Sequence, residues 1–142
     1  MNDLYFKQLP MKIFLEPERS RMKEKKVMYS TSLPKNLKDS LQKAVIVLHR
    51  TKSDWVRTSL NLFMVLDEQN QDQLILTTFK KMDSSQLRPF TTTLLESQLV
   101  GLNLLAKTLN RSKAEILRTA IFIFLSKSPA EQEKTIKKFL SR

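Results

Sequence analysis

The chain has 142 residues, with 25 Lys and Arg against 14 Asp and Glu, and a formal charge of +11 at pH 7. At 41% hydrophobic residues it is too apolar for a disordered basic tail, and its charge excess favours a polyanionic partner through counterion release. With no cysteine, one histidine (His49) and one glycine (Gly101), it excludes disulfides, Cys-ligated zinc, multi-histidine metal clusters and glycine-rich nucleotide loops.

Residues 1–26 are read as a basic N-terminal arm, on runs such as Arg19-Ser20-Arg21-Met22-Lys23-Glu24-Lys25-Lys26, with a short strand expected at Met11–Leu15. Val27, Tyr29, Thr31 and Leu33 then alternate with Met28, Ser30 and Ser32, which predicts a strand whose aromatic-bearing face is buried. Pro34 suits the first turn of a following helix, along which Leu37, Leu41, Val45 and Leu48 recur at helical spacing. Thr51-Lys52-Ser53-Asp54, a hydroxyl followed three residues later by an acid, caps a second helix striped by Trp55, Val56, Ser59, Leu60, Phe63 and Met64.

Residues 67–87 are read as a linker, polar from Asp67 to Gln73 and apolar at Leu74, Ile75, Leu76 and Phe79. A second alternating run follows, with Phe90, Thr92 and Leu94 opposite Pro89, Thr91 and Thr93. Leu102, Leu105, Ala106 and Leu109 mark the next helix, and Ser112-Lys113-Ala114-Glu115 repeats the capping signal. The helix it opens is apolar almost all round (Ile116, Leu117, Ala120, Ile121, Ile123, Phe124), so it should be central to the core. Ser128-Pro129-Ala130-Glu131 starts a last, basic helix through Lys134, Lys137 and Lys138. No apolar run reaches the roughly 18–20 residues that cross a bilayer, and no secretion signal is visible. The expectation is a cytoplasmic chain without a membrane partner.

Shifted by 61 residues, the chain aligns with itself without a gap. Tyr29-Ser30-Thr31-Ser32-Leu33 falls on Phe90-Thr91-Thr92-Thr93-Leu94. Leu48, Arg50, Lys52, Arg57-Thr58 and Phe63 fall on Leu109, Arg111, Lys113, Arg118-Thr119 and Phe124. This divides the chain into the arm at 1–26, a first unit at 27–66, the linker at 67–87, a second unit at 88–127 and a C-terminal helix at 128–142.

Strand, helix, short turn, helix, with Leu33-Pro34 and Arg50-Thr51-Lys52-Ser53 in one copy and Leu94-Leu95 and Arg111-Ser112-Lys113-Ala114-Glu115 in the other, resembles the ribbon-helix-helix (Arc/MetJ-type) DNA-binding superfamily. The resemblance covers roughly 26–66 and 87–127. It implies a mainly α fold with a two-stranded antiparallel β-ribbon, in which the tandem copies form an intramolecular pseudo-dimer. A lone strand cannot satisfy its backbone groups, so the family pairs two of them, and the duplication lets one chain supply both.

The partner implied is double-stranded DNA, with the ribbon in the major groove. By strand parity the base-facing residues would be Met28, Ser30, Ser32, Thr91 and Thr93, with Arg88 at the ribbon end. The phosphate-facing residues would be Lys26, Arg50, Thr51, Lys52 and Ser53, with Arg111, Ser112 and Lys113, where helix N-termini attract anions. Here the chain departs from the family, whose ribbons usually project Arg, Lys, Asn or Gln. Short hydroxyls make no bidentate base contacts, so DNA shape and phosphates should contribute more.

The function implied is that of a transcriptional regulator, a repressor, acting without a cofactor and assembling side by side on DNA. An accessory DNA-binding protein of conjugation or plasmid transfer is an alternative, and so is an antitoxin-like binder that offers Ile136, Phe139 and Leu140 to a partner groove. A basic RNA-binding or scaffolding protein is a further class. Catalysis is not expected: Ser20-Arg21-Met22-Lys23 and Ser40-Leu41-Gln42-Lys43 match Ser-x-x-Lys without its accompanying motifs. His49 reads as a helix C-cap, not a general base.

Overall fold

The computed structural model describes residues 24–83 and 85–141. The element order is β1 (Lys26–Pro34), α1 (Lys35–Leu48), α2 (Lys52–Met64), α3 (Glu68–Lys81), β2 (Leu87–Leu95), α4 (Glu96–Leu109), α5 (Lys113–Leu125) and α6 (Pro129–Leu140). The fold is mainly helical, with one two-stranded antiparallel sheet, β1 against β2. Most of the arm expected at 1–26, including its strand at Met11–Leu15, lies outside the described residues.

The bounds of β1, α1 and α2, each raised by 61, are those of β2, α4 and α5. The recurrence also reaches the stretch read from sequence as a linker. Residues 68–81 form α3, and its first residue, Glu68, lies 61 before Pro129, the first of α6 (129 − 68 = 61). Asp67 caps α3 by accepting from the Asn70 amide, as Ser128 caps α6 by accepting from that of Glu131. Each copy is therefore a strand and three helices. Sequence patterning missed α3 because two of the three positions it buries are polar, Gln71 and Thr78 beside Ile75. Its apolar periodicity is correspondingly weak.

Alternation produces the ribbon as the sequence suggests. Phe90, Thr92 and Leu94 are buried, while Met28, Ser30 and Thr91 are exposed. Beneath it the helices interlock. α2 packs against α5 at the centre, and α2 lies on β2 whereas α5 lies on β1. In the same crossed sense α3 packs on α5 and α6 on α2. Trp55 of α2 and Phe124 of α5 meet at 4.7 Å with their rings tilted by 54°, within the geometry aromatic pairs favour.

Both first helices end in a left-handed residue, His49 (φ 55) and Asn110 (φ 56). The His49 amide donates to Ile46 and that of Arg50 to Val45; Asn110 and Arg111 donate likewise to Lys107 and Ala106. These are C-cap turns in which carbonyls left over at the helix end gain donors. Ile136 and Phe139 of α6 are buried and Leu140 packs against the core, so they are not offered to an antitoxin-style partner groove. No helix among the described residues is long and apolar enough to cross a membrane.

Candidate nucleic-acid interface

The outward face of the ribbon brings together Met28, Ser30, Ser32, Thr91 and Thr93. Cross-strand partners are Met28 and Thr93, Ser30 and Thr91, and Ser32 and Pro89. Ser30 thus stands opposite the residue 61 positions later, and the two hydroxyls share a hydrogen bond of 3.1 Å. Lys26 lies on the same parity at the ribbon end, exposed, opposite Leu95. Arg88 does not: it shares the parity of Phe90 and Thr92, is exposed near the start of β2, and pairs with Leu33. Its place among the base-facing residues is corrected on that ground.

Two arginines fasten the ribbon edges. Arg57, in α2, is 6% exposed; its Nη1 donates to the Thr93 carbonyl (3.2 Å) and hydroxyl (2.6 Å), and its Nη2 to Asp54 (2.7 Å). Arg118, 61 residues on in α5, donates Nε to the Ser32 carbonyl and Nη2 to its hydroxyl, both at 3.0 Å. Because these hydroxyls accept from a guanidinium, each keeps its own hydrogen to donate outward. The signal in the sequence was an arginine at the same place in two helices otherwise read as apolar there. Each clamps its helix to a strand, and Arg57 also pairs with Asp54 on its own helix.

The capping residues behave as expected. Thr51 Oγ1 accepts from the Asp54 amide and Ser112 Oγ from the Glu115 amide, both at 3.1 Å, and Glu115 accepts in turn from the Ser112 amide. The first-turn amides of Lys52, Ser53, Lys113 and Ala114 have no acceptor within their helices, and the helix dipole adds partial positive charge there. Lys52 and Lys113 are exposed, with the Lys52 ammonium 5.0 Å from the centre of the Phe90 ring. That contact fixes a cation beside the ribbon.

Three predicted phosphate residues are occupied elsewhere. Ser53 bonds inward, 3.3 Å from the Thr92 hydroxyl and 3.3 Å from the Thr93 amide that donates to it, so it belongs to the strand–helix junction. Arg50 pairs with Glu133 of α6 through Nε (3.2 Å) and Nη2 (2.6 Å). Arg111 reaches Asp72 of α3 at 3.4 Å. The hydrogen bond from Arg50 holds the Glu133 carboxyl below the usual glutamate range and raises the guanidinium in return. These arginines anchor the third helices, and sequence reasoning missed both acids. On the inward face, burial pushes the Tyr29 hydroxyl above its ordinary value, against the opposing charge of Arg118.

Among the described residues no His, Cys, Asp or Glu cluster has the makings of a metal site. What remains is an exposed strip of hydroxyls and one methionine, flanked by two lysine-bearing helix N-termini. Comparison with protein-family models, with curated proteins and with solved structures returned no match.

Proposed function

We propose that the chain is a tandem ribbon-helix-helix pseudo-dimer that binds duplex DNA, laying β1 and β2 in the major groove as a transcriptional regulator of the repressor type. The observation that carries this is the register. Ser30 faces its own counterpart Thr91, and the second helix of each copy packs on the strand of the other. That is the arrangement expected when two strand–helix–helix copies intertwine about a local two-fold axis passing between Ser30 and Thr91. Its exposed strip is two strands wide, which fits a major groove about 12 Å across.

Phosphate contacts fall to the amides at the starts of α2 and α5 with Lys52 and Lys113, and to Lys26 at the ribbon end. Base contacts fall to the outward hydroxyls and Met28. The net charge of +11 supports the electrostatic share of binding.

The test is fluorescence anisotropy of labelled duplex DNA over a salt series, with duplex RNA as competitor. Binding should favour DNA. Lys52→Ala combined with Lys113→Ala should weaken binding on every sequence and reduce the salt slope by about 2. Equal competition by RNA, or an unchanged slope, would sink the assignment.

A further inference from the structure

Within the duplex-DNA reading above, the copies are not equivalent where they face the groove. Three pairs of outward positions in the middle of the ribbon are related by the 61-residue offset. Ser30 and Thr91 match in chemistry and lie side by side at the centre. Ser32 and Thr93 also match, each a hydroxyl accepting from the arginine of an equivalent helix. Each keeps a hydrogen to donate, so both ends can address an acceptor such as guanine N7 or O6, adenine N7 or thymine O4.

The third pair breaks the symmetry. Met28 is 75% exposed and stands opposite Thr93, while its counterpart Pro89 stands opposite Ser32. The proline ring is tied to its own backbone, and the Pro89 carbonyl accepts from the Lys38 ammonium at 2.9 Å. A methionine is long, unbranched and polarizable, and can lie on a thymine methyl; a fixed ring close to the strand has no such reach. The next outward pair continues the difference, with Lys26 opposite Leu95 at one end and Leu87 opposite Pro34 at the other.

We propose that the two ribbon ends read DNA differently, so that the chain occupies a non-palindromic site in one fixed orientation, with Met28 against a thymine methyl. The central positions of that site are read alike on both strands, and the thymine is required on one flank only.

Selection of binding sites from a randomised duplex library by the full chain tests this. The expected motif has matched central positions and a thymine preference on a single flank. Met28→Ala should lower that preference about four-fold, the worth of one buried methyl-sized contact. Pro89→Met should create the second preference and turn the motif into an inverted repeat; if that variant does not fold by circular dichroism, Met28→Ala decides alone. A palindrome selected by the unaltered chain, or a thymine preference untouched by Met28→Ala, overturns the oriented site and leaves DNA binding standing. A chain that enriches no duplex at low salt overturns both.

Discussion

Helices α3 and α6 occupy equivalent places and bury equivalent positions, Gln71, Ile75 and Thr78 in one and Gln132, Ile136 and Phe139 in the other, yet they differ at the third. α6 buries Ile136 and Phe139 and turns Lys134, Lys137 and Lys138 to solvent. α3 buries Ile75 between Gln71 and Thr78, and leaves Leu76 at 42% and Phe79 at 68% exposure. The buried phenylalanine of one helix stands where the other buries a threonine (78 + 61 = 139). Hydrophobic pattern alone therefore does not hold a third helix here. Both are capped at the same position and tied by an acid to the arginine that precedes α2 or α5.

The contrast can be broken most forcefully in the apolar layer. Phe139→Ala should destabilise the chain by about 3–5 kcal/mol and Ile136→Ala by about 2–5 kcal/mol in urea unfolding, while Phe79→Ala should stay within about 0.5 kcal/mol. Equal costs for Phe79→Ala and Phe139→Ala would mean the two helices are packed alike after all.

A smaller effect should come from the polar residues beneath. Gln132 accepts from the Trp55 indole at 3.1 Å and donates to the Lys127 carbonyl at 2.9 Å. Removing it by Gln132→Ala leaves a buried N–H unmet, at a cost of about 1–3 kcal/mol. Gln71 donates to the Phe63 carbonyl at 3.0 Å and receives no such indole bond, so Gln71→Ala should cost less in the same assay.

The ion pairs come last. Glu133→Gln should cost up to about 1 kcal/mol and Asp72→Asn close to nothing, since both pairs are partly exposed and the second is longer. The Glu133 carboxyl titrates below its unfolded value because Arg50 hydrogen-bonds it. Its contribution is thus complete above the ordinary glutamate value of about 4.3 and is lost as pH falls through the lower folded one. Stability curves of Glu133→Gln and the parent chain should converge as pH falls past the depressed Glu133 titration; a difference that persists at still lower pH would mean the pair is not its source.

Much of the architecture was legible because it depends on neighbours in sequence. The parity of Met28 to Leu33, the hydroxyl–acid caps at Thr51 and Ser112, and the helix C-cap at His49 are all local, and each stands as read. What escaped depends on distance. Arg50 finds its acid 83 residues away and Arg111 finds its own 39 away, so neither pairing leaves a local trace. Arg57 and Arg118 were visible as a recurrence, but their targets lie on the strand of the other copy. α3 was hidden by its polar interior. Arg88 entered the outward set by its place at the ribbon end, although it shares the inward parity of Phe90 and Thr92.

A two-stranded sheet has nothing but borders, and bare borders recruit further strands, leading to swapped dimers or fibres. In this molecule guanidiniums occupy the Ser32 and Thr93 carbonyls, a lysine takes that of Pro89, and the proline has no amide to offer. Sideways strand addition is thereby hindered at these positions, one on β1 and two on β2. The flat outward side, with Met28, Ser30 and Thr91 exposed, carries no such cover.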